Sequence, residues 1–254
     1  MSDEVLVEAH DGVLVVTLNR PAARNAVNLA VAEGVAAAMT ELDSRDDLSV
    51  GVLTGAGGTF CAGMDLKAFV RGESPVIPGR GFLGLVQAPP DKPLIAAVEG
   101  YALAGGCEAV LAADLVVASR AAKFGIPEVK RGLVAAAGGL MRLPRRIPPA
   151  VALELALTGD LLDAERAHHF GLVNRLTDEG AALNTALELA RTIAANGPLA
   201  VRASKQIMRD SGDWPQDEMF ERQSAIAGPI FTSADAQEGA RAFAEKRAPQ
   251  WRGE

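Results

Sequence analysis

Glu108 and Glu128, each close to glycine-bearing turns, are the residues of this sequence best suited to chemistry. Glu108 ends the run Glu99-Gly100-Tyr101-Ala102-Leu103-Ala104-Gly105-Gly106-Cys107-Glu108, and Glu128 follows Pro127 in Phe124-Gly125-Ile126-Pro127-Glu128. A second run of the same kind is Gly55-Ala56-Gly57-Gly58-Thr59-Phe60-Cys61-Ala62-Gly63-Met64-Asp65-Leu66. Glycines permit positive φ and close backbone approach, and a helix start leaves N–H groups unpaired with a partial positive charge. Such a turn can bind a negatively charged oxygen. Two carboxyl groups at one place can divide proton transfer between an acid and a base.

Each feature alone also has a purely structural explanation. The glycines can serve close packing of chain on sheet, and Glu128 can pair with Lys130 on the surface. Glu108 fits that explanation poorly, because Ala109-Val110-Leu111-Ala112-Ala113 behind it is apolar on every face, and a carboxylate leading a buried helix requires a reason.

The elements that must carry these residues are legible from periodicity. Val5 to Glu8 and Val13 to Asn19 flank Asp11-Gly12 and predict a β-hairpin. Asn28 to Arg45 carries apolar residues at helical spacing, with Asn28 as N-cap. Val50 to Thr54, Leu94 to Val98 and Leu115 to Ala118 are short apolar runs that predict parallel strands buried on both faces. Strand, glycine turn and helix in repetition predict an α/β core.

From Pro148 onward the pattern is almost entirely helical: 150–157, 164–170, 181–195, 198–208, 215–226 and 234–246. We expect a core over 1–195 and a C-terminal helical region over 196–254 that packs on the core or on a neighbouring subunit. The interval Arg71 to Pro93 is the loop-rich part. Within it Gly79-Arg80-Gly81-Phe82-Leu83-Gly84 matches GxGxxG, but it follows Pro75-Val76-Ile77-Pro78 rather than a strand, so a flexible loop is expected and not a dinucleotide site.

Composition narrows the classes. The chain has 254 residues, 49% hydrophobic and 22% charged, with net charge −7, which argues against a surface that coats nucleic acid. No apolar run is long enough to span a membrane, and Met1-Ser2-Asp3-Glu4 does not start a secretion signal, so a cytoplasmic protein is expected. Cys61 and Cys107 lack metal or disulfide spacing and are expected to be buried; no metal site is expected. His168-His169 are neighbours on a helix facing different directions, hence structural, and His10 is expected to be exposed. GxxxxGK[ST], HExxH and GxSxG are absent.

Several segments in order resemble the crotonase (enoyl-CoA hydratase/isomerase) superfamily: Asn19-Arg20-Pro21 with Arg24-Asn25-Ala26, Phe60 to Leu66, Gly105 to Glu108, Phe124 with Pro127-Glu128, Gly138-Gly139 with Arg142-Leu143, Leu157-Thr158-Gly159, and Gly171-Leu172-Val173. The Lys246-Arg247 ending with Trp251 resembles the family's tail. Arg142-Leu143-Pro144 with Ile147 to Ala150 is similar to the crotonobetainyl- or carnitinyl-CoA branch. Gly57-Gly58, Phe60 to Ala68 and Ala242 to Pro249 are similar to actinobacterial enoyl-CoA hydratases.

The resemblance implies an α/β fold, the ClpP/crotonase-like spiral of β-β-α units, with a C-terminal helical trimerisation region. It implies an acyl-CoA substrate whose thioester carbonyl meets an oxyanion hole formed by the backbone N–H groups of Met64 and Gly105. It implies that Glu108 and Glu128 hydrate a 2-enoyl-CoA; we assign Glu128 as base for the water and Glu108 as proton donor. Coenzyme A would be held near Arg24, Ala62, Gly63, Lys67 and Lys246, the last from a neighbouring subunit, in a homotrimer or hexamer. No cofactor is implied beyond the coenzyme A of the substrate. Alternatives are an enoyl-CoA isomerase, with one glutamate shuttling a proton between C2 and C4, or a non-catalytic acyl-CoA-binding protein. Ala104, where the family commonly has Gly, and Ala135-Ala136, where it often has Pro-Gly, depart from the pattern.

Overall fold

A computed structural model describes residues 3–254. Met1 and Ser2, part of the expected N-terminus, lie outside the described residues. The hairpin forms as the sequence predicts: β1 (Val5–His10) pairs antiparallel with β2 (Val13–Leu18), and the turn uses Asp11 and Gly12 at φ 51° and 78°. Two successive positive φ values match the twist of the flanking strands, which is why Asp-Gly serves here. In α1 (Leu29–Ser44) the Asn28 side chain accepts from the Val31 N–H, satisfying one donor that the first turn leaves free.

β3 (Val50–Gly55) is followed by α2 (Leu66–Val70), β4 (Val76–Ile77), β5 (Gly81–Phe82), β6 (Leu94–Val98), β7 (Tyr101–Leu103), α3 (Gly105–Ala112), β8 (Leu115–Ser119) and β9 (Lys123–Gly125). Then come α4 (Gly139–Arg146), α5 (Pro149–Thr158), β10 (Leu162–Asp163), α6 (Ala164–His169), β11 (Arg175–Thr177) and α7 (Ala182–Ala194). The main sheet runs β1-β2-β3-β6-β8-β11, with every pair after the hairpin parallel, and a smaller sheet runs β10-β9-β7.

Strand alternation explains the layers. Leu14, Val16, Leu53, Ala96 and Val116 face the larger core, while Val13, Val15, Val52, Ile95 and Val117 face the opposite side. There α7 lies down with Ala186 and Ala190, four residues apart and fully buried, so that helix and sheet approach closely. Both faces of the sheet are covered.

The stretch after Pro148 is almost entirely helical as expected, with β10 added to the small sheet and β11 to the main sheet through pairs only two or three residues long. Two expectations are corrected. The interval 71–93 is loop-rich as expected, but its 79–84 segment is not a loose loop: β4 and β5 pair, and Phe82, Leu83, Leu85 and Val86 are buried. The helix expected from Pro215 begins instead at Met219.

α8 (Pro198–Asp210), α9 (Met219–Phe231) and α10 (Ala234–Glu245) follow. Within 196–254 the one buried apolar residue is Ala242, while Met208, Phe220, Phe231 and Phe243 are each more than 80% exposed. α8 is anchored by polar contacts: Lys205 Nζ donates to Pro90 O, Lys92 O and Asp114 Oδ2 at 2.7, 3.0 and 2.6 Å. The tail folds back, with Trp251 Nε1 donating to Ala195 O and the Asp235 carboxylate accepting from Arg252 and Gly253 N–H. Among the described residues no helix is long and apolar enough to cross a membrane.

Candidate active site

The two glycine turns are brought together by a short backbone ladder. Phe60 N donates to Glu99 O, Cys61 N to Tyr101 O, and Leu103 N to Cys61 O, at 2.8 to 2.9 Å. Buried Asn25 fixes the first turn from behind: its Nδ2 donates to Ala56 O and Thr59 O, and its Oδ1 accepts from Arg20 N. A side chain on Gly106 would collide with the Cys61 carbonyl, so only glycine admits this approach.

Met64 and Gly105 therefore sit on adjoining turns. Gly63 O accepts from Val27 N at 2.8 Å and Asp65 N donates to Val27 O at 2.9 Å, which pins the peptide bonds on either side of Met64. Asp65 also caps α2 through Lys67 N and Ala68 N and pairs with Arg20 at 3.0 Å. Burial alone would raise the Asp65 carboxyl; the Ala68 N–H and the Arg20 pair outweigh it and hold it below its ordinary value. The N–H groups of Met64 and Gly105 donate to no acceptor among the described residues. Two unpaired donors on touching turns, one of them opening α3, are groups of the kind that can bind a developing negative oxygen.

Ala104, immediately before α3, has φ 51° and ψ −128°, and its N–H donates to Gly125 O at 2.9 Å. This is backbone that glycine adopts far more readily. Phe82 lies against the α carbon of Gly105, leaving no room there for a side chain. The region read from the sequence as loop thus packs on the turn that carries Gly105.

Every residue of α3 is buried, Glu108 included. Its Oε1 accepts from Ala137 N and Gly139 N, both at 2.8 Å. Gly138 between them, at φ 101°, allows the two N–H groups to point the same way. Burial raises the Glu108 carboxyl, opposed by the Gly139 and Ala137 N–H groups and by the charge of Arg142. Glu128 lies on a 3-10 turn, Pro127–Arg131, that leads out of β9. Its Oε2 is buried and has no hydrogen-bond partner. Burial raises Glu128 first of all; its own N–H lowers it, the charge of Glu108 raises it further, and Arg131 opposes. The charge of Glu108 therefore reaches Glu128. Lys130 does not pair with Glu128 as the structural explanation required; it bonds Asp160 at 2.8 Å.

In the segment between the acids the sequence marks Ala135-Ala136 and Gly138-Gly139, but it does not reveal that the backbone there grips Glu108. Leu133 N donates to Glu128 O at 3.1 Å, and the same segment ends on Glu108 through Ala137 and Gly139. Gly138-Gly139 directly ahead of a helix is the signal that could have pointed to it, since the groups involved are backbone donors.

The residues expected around coenzyme A are only partly assembled. Ala62 N donates to Arg24 O at 3.0 Å, so Arg24, Ala62, Gly63 and Lys67 surround the turn that carries Met64, with Arg24 and Lys67 exposed. Lys246 caps α10 at φ 56° and is exposed; within one chain it is not joined to that group. Cys61 and Cys107 are buried with their thiols pushed up to about 12, neutral as expected. His168 Nδ1 is 2.8 Å from Val173 O and His169 packs edge-on to Phe170. Among the described residues no group of three or more His, Cys, Asp or Glu is placed to hold a metal ion.

Residues 8–254 match the family model described as enoyl-CoA hydratase/isomerase. The chain is 44% identical to the enoyl-CoA hydratase EchA19 of Mycobacterium tuberculosis, over 98% of this chain and 96% of that protein. It is 40% identical to the carnitinyl-CoA dehydratase of Citrobacter koseri over the whole of both. A crystal structure of an enoyl-CoA hydratase from Mycobacterium tuberculosis H37Rv superposes with a TM-score of 0.98 at 63% identity, covering all of both chains.

Proposed function

The chain belongs to the enoyl-CoA hydratase/isomerase family, and on that premise we propose that it adds water reversibly across the 2,3 double bond of a 2-enoyl-CoA. The observation that carries the reading is geometric: buried Glu108, its Oε1 held by the Ala137 and Gly139 N–H groups, stands one turn of helix from the unpaired Gly105 N–H, and the buried Oε2 of Glu128 is left without a partner.

In this reading the thioester oxygen accepts from Met64 N–H and Gly105 N–H. Each donor stabilises the developing enolate by about 3–4 kcal/mol, as in other oxyanion holes. Two peptide N–H groups aimed at Glu108 Oε1 favour its ionised form, and the unpartnered Oε2 of Glu128 beside that charge favours the protonated form. These surroundings support the opposite division to the one expected from the sequence. Glu108 takes a proton from water as the oxygen bonds to C3, the double-bond electrons move onto the thioester oxygen, and the enolate then takes a proton from Glu128 at C2. The pair has exchanged one proton, which solvent restores.

Coenzyme A is part of the substrate and no separate cofactor takes part. Arg24, Ala62, Gly63 and Lys67 would receive its pantetheine and phosphates, and Lys246 would reach it from a neighbouring subunit. The exposed phenylalanines of α9 and α10 support a homotrimer or a hexamer of paired trimers, with 1–195 as core and 196–254 as the assembling region. We place the protein in the cytoplasm.

Loss of the conjugated enoyl-thioester absorbance of crotonyl-CoA and of a longer 2-enoyl-CoA tests the reading. Turnover that collapses in Glu108→Gln and Glu128→Gln supports it. Binding without turnover in the wild type, unchanged in both variants, identifies a non-catalytic acyl-CoA binder.

A further inference from the structure

Arg142 occupies a junction that the proposed chemistry does not use. It lies on the first turns of α4, with its backbone N–H donating to Gly138 O at 3.0 Å. Its Nη2 donates to Val86 O at 2.6 Å, across from the β5 segment whose Phe82 packs on Gly105. Its Nη1 lies directly over Gly138, so that any side chain at that position would collide with it. Gly138 is the residue whose two neighbours, Ala137 and Gly139, hold Glu108 Oε1.

One guanidinium thus touches the wall beside the oxyanion turn and the loop that grips the carboxylate. We propose that Arg142 is a positioning residue: it locks the Ala137–Gly139 clamp against the Phe82–Val86 wall and so holds the Glu108 carboxylate in place for its role as base. The inference rests on the role given to Glu108 in the proposed hydration.

The geometry makes Arg142 act through both shape and charge. A planar fork can hold the Val86 carbonyl while its delocalised charge faces Glu108, which a point-charge amine reproduces only in part. A half-buried guanidinium is costly to keep without return, and the Val86 carbonyl alone is a thin reason for it. The charged groups around Glu108 are Arg142 on α4 and Glu128 on the 3-10 turn. Arg131 acts on Glu128, Arg146 acts on Arg142, and the Cys107 thiol adjoins both acids. Arg142 is the cation among them that acts on Glu108 directly, so its removal raises the proton affinity of Glu108, with the sign set by loss of an opposite charge.

Two readouts separate this role from mere fold support. The full-length protein, labelled with carboxyl-13C glutamate, is titrated by NMR as wild type, Arg142→Lys and Arg142→Met, with Glu108→Gln assigning the resonance. The Glu108 midpoint should move up in Arg142→Met, and much less in Arg142→Lys. The acidic limb of kcat/KM for 2-enoyl-CoA hydration should move in step, while Arg142→Lys lowers kcat with its limb in place. An unmoved Glu108 midpoint in a folded Arg142→Met protein overturns the proposal whether or not the wild type turns over. A wild type that fails to hydrate, with a midpoint that does move, overturns only the function on which it rests.

Discussion

A side chain on Gly63 would stand 3.3 Å from the Gly105 nitrogen and 2.9 Å from Ala104 Cβ, so the two turns meet too closely for any residue but glycine at that position. Gly63 also has φ 97°, which an L side chain rarely adopts. Gly63→Ala should spread the Met64 and Gly105 donors and lower kcat by about 10²–10³-fold. Steady-state hydration with thermal melts to confirm folding checks this, and a folded variant with wild-type kcat counts against the paired donors.

Ala104 holds a backbone conformation suited to glycine. Its strain is on the order of 1–3 kcal/mol, against about 0.4–1 kcal/mol of chain entropy that alanine removes from the unfolded state. Ala104→Gly should therefore stabilise the protein by about 1 kcal/mol, read from denaturant unfolding. A loss of stability would mean the Ala104 methyl group packs better than its backbone suffers.

Burial raises Glu128 above the ordinary carboxylate value of 4.5, with Glu108 adding to the effect. The folded protein then holds a proton that the unfolded chain has released, and stability falls as pH rises from 4.5 through the raised value. Glu128→Gln should melt higher than wild type at pH 7 to 8, with the difference vanishing below about pH 4.5. Paired melting curves across that range measure it; a variant less stable at pH 8 would show that the ionised carboxylate is well accommodated.

Lys205 is nearly buried and its amine makes three contacts that tie α8 to the core, one to Asp114. Asp114 keeps about a third of its side chain exposed, so the cost of breaking the pair falls toward the low end for buried pairs. Lys205→Met should cost about 2–3 kcal/mol. Limited proteolysis should then cut within 196–254 before the core; unchanged cleavage would show that α8 is held by other contacts.

The sequence carries the local signals well. Asp11-Gly12 specified its turn and Asn28 its cap, because each acts on a backbone group within three residues. The strands of the small sheet were not legible: β7, β9 and β10 have three, three and two residues, too few for a period, and their pairing is long-range. Glu108 was visible because a carboxylate ahead of an apolar helix is costly; Glu128 stood out only in combination with it and through the family resemblance. The clamp was not visible, since Ala137 and Gly139 act through N–H groups that any residue but proline carries.

Hydration is tested most directly by following a 2-enoyl-CoA in 18O-water by mass spectrometry, in the wild type and in Glu108→Gln and Glu128→Gln. The account predicts a 3-hydroxyacyl-CoA carrying one heavy oxygen in the wild type, with its formation slowed about 10²–10⁴-fold in each variant. Migration of the double bond without uptake of heavy oxygen, or label uptake that persists at the wild-type rate in both variants, would contradict it.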